Sequence, residues 1–503
     1  MPTHRFVAVA GTTLATLVLV VAAPGRGALA SPAGGRFVPC DAAALVQAID
    51  DANAMPASPT TLDLTPRCTY RLPAADNESD FGPNGLPVVV SRNLTIHGHG
   101  AVITRRAGAP PFRILEIGGE PAAGNLTLDE ATISNGDGSD GNAAGGVLNS
   151  GTLTVTDSRI ADNFMDAGTG TAVGVGVTSA AGATLALDGV TVTGNTGRGE
   201  FVDGGGVHSD GAATIRRSVI TRNRATSRLL AVGGGLSNNG TMELSGSRVS
   251  DNDLRSDESD GLGGGIGNVN GRLTVAGSPV SDNTASGLSG ASGGGIFNGN
   301  GLTVRSSSID GNTAAGRAAT AQVGGGGILS SGVNGAARAT LVRTDVDGNT
   351  ARCSGGDCVA IGGGLYSAGK VLDLVVRDDS SVSRNSATAD GGGQAIGGGL
   401  FNGALALLAG RTSVGKNTVT ARGAGGRAFA GGIWNDGRLF LERFSAVTKN
   451  TVRAPAPAGT ADGGGIYNDA APDDVRIGAT SEVDKNKPNN CAGPGTPIDR
   501  CTG

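Results

Sequence analysis

The chain has 503 residues, 89 of them glycine, with 3 % aromatic and 17 % charged residues and a net charge of −5. That balance argues against a nucleic-acid binder, which carries a basic field. Glycine without an every-third-residue period, beside 20 prolines, is not collagen, and a 38 % hydrophobic content is not that of a charge-driven disordered polymer.

Residues 1–30 read as a secretory signal peptide. Arg5 supplies the positive charge, Phe6 to Ala23 the apolar stretch, and Ala28-Leu29-Ala30 a small-x-small cleavage site. No later segment is long and apolar enough to cross a membrane as a helix, so the mature chain is expected to be secreted or held at the cell surface without a span. Six cysteines fit an oxidising compartment. They fall into three clusters, Cys40 with Cys68, Cys353 with Cys358, and Cys491 with Cys501. Proximity favours pairing within each cluster, although six cysteines allow 15 connectivities.

Residues 31–93 read as an N-terminal cap region with a helix over 41–54. Leu45, Ala48, Ile49 and Ala52 share one face, Asp41 is the N-cap, and Pro56 lies just beyond the end. Residues 94–143 look like degenerate first coils, with Asn93-Leu-Thr-Ile96 and Asn125-Leu-Thr-Leu128 as their strands. From 144 to 486 one unit recurs eleven times, mostly 29 to 37 residues apart. Its clear copies open Gly-Gly-Gly-Ile-Gly-Asn (263–268), Gly-Gly-Gly-Ile-Phe-Asn (293–298) and Gly-Gly-Gly-Ile-Tyr-Asn (463–468), and each unit closes on an Asn, from Asn163 to Asn486. Residues 487–503 form a cap tail.

Such a period means a solenoid, propeller or array. Each unit holds two or three short Val-, Leu-, Ile- and Thr-rich stretches split by Gly, Asn, Ser and Asp, with no room for a helix of about ten residues. The predicted fold is all-β: a single-stranded right-handed parallel β-helix with an N-terminal capping helix. Within Gly-Gly-Gly-Ile-x-Asn, alternation points Ile inward, x outward and Asn inward. Stacked inward amides form a ladder along the axis. The segments between each closing Asn and the next glycines read as variable loops.

Cys40…Leu45-Val-Gln-Ala-Ile49…Ala52-Asn53, followed by Leu62-Asp-Leu64…Tyr70-Arg-Leu72, resembles the CSLREA-type leader of secreted bacterial β-helix proteins, without that leader's Ser-Leu-Arg-Glu core. The Gly-Gly-[Gly]-Ile-Phe/Tyr-Asn…Asn-Thr-Ala repeats resemble those of polymorphic outer-membrane proteins. This resemblance implies a right-handed β-helix at or outside the cell surface, often in adhesion-like roles. It implies no enzyme activity.

Polysaccharide lyases and glycoside hydrolases use the same scaffold, so the chain is searched for their chemistry. Gly98-His99-Gly100 matches a short polygalacturonase-like motif, but the second signature of that family is missing, and hydrolysis needs two carboxylates across the bond. For lyase chemistry Asp378-Asp379 and Asp473-Asp474 are the candidate acid pairs in the repeats, and neighbours on a strand point to opposite faces. Asp137 with Asp140, or the loop 253–260, reads first as solvated and second as a low-affinity Ca²⁺ site. No catalytic residue and no other cofactor is expected. His208 is the only histidine in the repeats, which makes a triad implausible.

The outward position x carries the remaining signal. It reads Leu148, Thr178, His208, Ser237 and Gly267, then Phe297, Leu329, Tyr366, Phe401, Trp434 and Tyr467. Phe297, Tyr366, Phe401, Trp434 and Tyr467 therefore line up in the C-terminal coils as one aromatic stripe. The stripe reads either as a self-stacking ladder or as a platform for an extracellular glycan or a cell-surface protein. The expected function is a non-catalytic extracellular binding surface; the alternative is a polysaccharide lyase or glycoside hydrolase on the same scaffold.

Overall fold

A computed structural model describes residues 35–119, 123–141, 143–332, 337–368 and 372–502. The signal-peptide reading of 1–30 lies outside the described residues. The chain from residue 35 onward forms one compact unit, an all-β parallel β-helix of about thirteen turns, with a single α-helix among the described residues, consistent with right-handed winding.

The sixth repeat shows how one turn is made. Gly293, at φ +66°, turns the chain into Ile296–Asn298. An added Cβ at Gly293 would lie 2.2 Å from the Ile296 carbonyl oxygen, so no side chain fits. Gly301–Arg305 and Ser308–Asp310 follow, then Asn312, then Thr313–Gly316 and Gln322–Gly324, and Gly325 begins the next turn. Each strand pairs in parallel with the same strand of the neighbouring turns: Ile296 faces Ile266 and Ile328, and Asn298 faces Asn268 and Ser330. The result is three long sheets. Sheet I has 27 strands, mostly two per turn, sheet II has 13, one per turn, and sheet III has 18.

Sheets I and II enclose the main core. Ile266, Ile296, Val304 and Ile309 are typical members, each fully buried. The segments after the closing Asn, expected as loops, are instead the stacked strands of sheet III. They fold back on themselves into a lobe with its own core, built from small side chains such as Ala285, Ala291, Ala314, Ala321 and Val323. Alanine lets the two strands of each arch approach closely while still removing apolar surface from water.

Two ladders hold the turns in register. The expected one runs through the inward Asn of sheet II, for example Asn238 to Asn268 at 2.7 Å and Asn268 to Asn298 at 2.8 Å, with serine replacing some rungs. The longer one runs through the closing Asn and has no serine in it. From Asn163 to Asn486 each amide Nδ2 donates to the next Oδ1 at 2.9–3.1 Å, and Asn490 continues the line. This second ladder stands where the chain leaves the main coil for the lobe. The third glycine of each unit passes directly over it: a Cβ at Gly295 would lie 2.9 Å from Asn312 Nδ2. The glycines and the closing Asn are therefore two sides of one junction.

Both ends are covered. Helix α1 occupies Ala42–Asn53, with Asp41 Oδ1 accepting from the Ala44 amide, and buries Leu45, Ala48, Ile49 and Ala52. Asn53 ties its end to the first turns by accepting from the Val90 and Ser91 amides and donating to the Val88 carbonyl. Coiling already begins here, because Thr60–Leu64 and Thr69–Leu72 pair in parallel with Leu94–Arg105. At the other end Cys491–Ala492 adds a last rung beside Ile466–Tyr467, and Ile498 enters the main core. The disulfides are Cys40–Cys68, Cys353–Cys358 and Cys491–Cys501, all within the clusters. Cys353–Cys358 is buried in the lobe.

Candidate functional site

The side chains at position x project from sheet II away from the main core. Alternation alone expected them to face solvent, but the structure corrects this for half of the column. Leu148, Thr178, His208, Ser237 and Leu329 are buried, Leu148 against Ala143 and Ala144 and the others where the chain returns from the lobe to sheet II. At Gly267 the lobe strand leaves no room for a side chain: a Cβ there would lie 2.4 Å from Val232 Cγ1. Where x is aromatic, a groove remains between sheet II and sheet III, and Phe297, Tyr366, Phe401, Trp434 and Tyr467 are half-buried in it.

The stripe is one column in register, Tyr366 beside Phe401, Phe401 beside Trp434 and Trp434 beside Tyr467. Its rings are not equivalent. Phe401 and Trp434 stack with centroids 6.4 Å apart and planes 9° apart, and Trp434 and Tyr467 with centroids 4.6 Å and planes 14° apart. Phe429, from the lobe, closes on Trp434 and Tyr467 at 6.0 and 5.1 Å. Tyr366 meets Phe401 edge-on at 80°. Among the described residues Phe297 has no ring partner. Burial raises the pKa of the Tyr366 phenol; burial and then Asp469 and Asp462 raise that of Tyr467. Around Phe297 and Tyr366 the groove opens into a cleft of about 460 Å³, with Leu329 in its lining.

In the third repeat the same column holds His208, 3 % exposed, between Asp203 (Nδ1 to Oδ2, 3.5 Å) and Asp210 (Nε2 to Oδ1, 3.1 Å). Burial acts to lower the His208 pKa, but the two carboxylates outweigh it and hold the imidazole at about 9. At neutral pH this favours the imidazolium, flanked by two carboxylates. The sequence signal was two aspartates within five residues of the only histidine of the repeats.

The first turns hold a second buried charge. Arg113 is 1 % exposed, and its guanidinium donates to Glu116 Oε2 at 2.8 Å, Asn84 Oδ1 at 2.8 Å, and the Phe81 and Ala143 carbonyls at 2.7 Å each. This network joins three segments and leaves no donor for a ligand. Nothing in the local sequence announced it.

The residues weighed for chemistry scatter. Asp378 and Asp379 lie on a turn, both at positive φ, paired with Arg377 and Arg411. Asp473 and Asp474 belong to a short 3₁₀ turn, and Asp474 faces Arg438. Asp137 accepts from the Ser139 amide and hydroxyl and faces Arg105. In the 253–260 segment, Asp253, Asp257 and Glu258 pair with Arg224, Arg255 and Arg228. Among the described residues no three His, Cys, Asp or Glu side chains form a metal-ligand set. His97 and His99 do meet acids: His97 Nδ1 lies 3.5 Å from Asp129, His99 Nε2 lies 3.2 Å from Asp63, and the two rings are 6.0 Å apart on the outer face of sheet I.

No family model matches the chain, and no curated protein matches it. Among solved structures, the A-module of the Azotobacter vinelandii mannuronan C-5 epimerase AlgE6 is similar at 14 % identity and a TM-score of 0.33, covering 88 % of this chain and 97 % of that one. A likeness this distant carries no argument about the chemistry of this chain.

Proposed function

We propose that the chain is an exported β-helix protein that acts by binding, and that its groove between sheets II and III takes an extracellular glycan. The observation that carries this reading is the half-buried aromatic column, which opens into a cleft beside Phe297 and Tyr366. Amphipathic rings in a groove suit a ligand with alternating C–H and hydroxyl surface. Export is supported by the signal-like segment 1–30 and by three disulfides, which persist in oxidising compartments. Among the described residues no helix is long and apolar enough to cross a membrane. The resemblance of the repeats to polymorphic outer-membrane proteins and of the leader to CSLREA-type segments accords with a role at or outside the cell surface.

The test is a glycan array with purified mature protein, run beside reducing-sugar and unsaturated-product assays. Retention of glycans without product is the expected result. No retained glycan overturns the reading. Binding to cells that survives removal of their glycans moves the partner to a cell-surface protein. A second reading, a polysaccharide-cleaving enzyme, is favoured by one observation only: His97, His99, Asp63 and Asp129 stand together on adjacent rungs. Product formed by the wild type and lost in His99→Ala would establish it.

A further inference from the structure

Resting on the glycan-binding reading, we infer that sugar is held in the cleft between Phe297 and Tyr366, that the glycan is uncharged, and that Phe401, Trp434 and Tyr467 are the scaffold of the groove. A pyranose binds an aromatic side chain by laying its C–H face on the ring face. Phe401, Trp434 and Tyr467 stack nearly parallel, with Phe429 against two of them, so the faces between neighbouring rings are taken up by one another.

The ladder breaks at Leu329. Phe297 and Tyr366 therefore stand two rungs apart, about 10 Å at the strand spacing, with buried Leu329 between them. Among the described residues Phe297 has no ring neighbour, and the one ring against Tyr366 is that of Phe401, edge-on. Across the cleft Gly324 has no side chain: a Cβ there would lie 2.3 Å from Tyr366 Cδ1, so the tyrosine ring rests against bare backbone. The opening this leaves, about 460 Å³, is of ligand size.

Its chemistry selects the ligand. The lining includes Ser292 and Gln322 but no Asp, Glu, Lys, Arg or His. Among the described residues neither the Ser292 hydroxyl nor the Gln322 amide has an intramolecular hydrogen-bond partner, so both are available to sugar hydroxyls or an acetamido group. A uronate would surrender hydration of its carboxylate here and gain no cation in return. A neutral hexose or N-acetylhexosamine polymer surrenders no charge hydration. It also meets successive turns with successive sugar rings when it lies along the axis.

The test is isothermal titration of the mature protein with cellohexaose, hexa-N-acetylchitohexaose and a mannuronate hexamer, on wild type and on Phe297→Ala, Gln322→Ala and Trp434→Leu, each checked by thermal melting. The expected result is binding of a neutral hexamer and none of the mannuronate hexamer. Phe297→Ala and Gln322→Ala should each weaken binding at least about tenfold. Gln322 is exposed, so its removal leaves the melting temperature unchanged even if Phe297→Ala does not. Trp434→Leu should lower the melting temperature and keep the affinity. Preference for the mannuronate hexamer overturns the uncharged ligand. Binding that survives Phe297→Ala and Gln322→Ala but is lost in folded Trp434→Leu overturns the location and leaves the glycan reading standing. Failure of every array glycan to bind overturns both.

Discussion

The closing asparagine does the most per residue. Asn312 Nδ2 donates to the Val280 carbonyl and to Asn349 Oδ1, while its Oδ1 accepts from the Asn283 amide and Nδ2. Asn312→Leu orphans groups on both neighbouring turns, at about 1–3 kcal/mol for each buried group left without a partner. Urea titration should show a loss of several kcal/mol, and a midpoint equal to wild type would remove the ladder from the account. His208 makes a second prediction, with a defined sign. Its pKa rises from 6.5 unfolded to about 9 folded, so the stability it contributes is complete below 6.5 and is lost as pH climbs through about 9. Melting temperature should fall between about pH 7 and about pH 10, and His208→Gln should flatten that slope. An equal slope in the variant would assign the pH dependence elsewhere. The Asn column was legible in the sequence because its hydrogen bonds demand the same residue at every turn. The His208 triplet and the Arg113–Glu116 pair occur once each, so no repetition marked them.

At the scale of elements, the glycine turn and the lobe arch are one device. The first glycine of the unit sits at positive φ turn after turn, as at Gly263 (+74°), Gly293 (+66°) and Gly325 (+61°), and Ala430 holds the same place at +61°. An L-residue in that region costs roughly 1–2 kcal/mol, partly offset by the lower unfolded-state entropy of alanine relative to glycine. Ala430→Gly is therefore expected to stabilise by up to about 1 kcal/mol, read as a rise in melting temperature. A fall would mean that the Ala430 methyl packs better than its backbone is strained. Helix α1 was legible from four apolar residues on one face and an aspartate cap. The lobe was not, because strands such as Thr313–Gly316 bury alanine and glycine, which lack the bulky alternation by which a strand is recognised. Missing the lobe also hid the groove. Period-two alternation says which side of sheet II a residue faces, but not that a second sheet stands opposite.

For the whole molecule, repetition carries the fold, and the proposed binding cleft lies where the repetition is interrupted, at Leu329. About thirteen turns stack along one axis, and the cleft lies where x becomes aromatic, from Phe297 onward. The stripe was legible as a column; its division into a stacked part and an open part was not, since ring orientation follows from packing against Phe429 and Gly324 rather than from spacing. In the proposed complex, ligand enters between sheets II and III at the Phe297–Tyr366 cleft. Hydrogen–deuterium exchange of the mature protein, with and without saturating cellohexaose or hexa-N-acetylchitohexaose, tests it most directly. Slowed exchange is expected in peptides covering 290–297, 322–329 and 359–366, with the His97–Asp129 face of sheet I unchanged. Protection confined to that face, with none in the cleft, would contradict it.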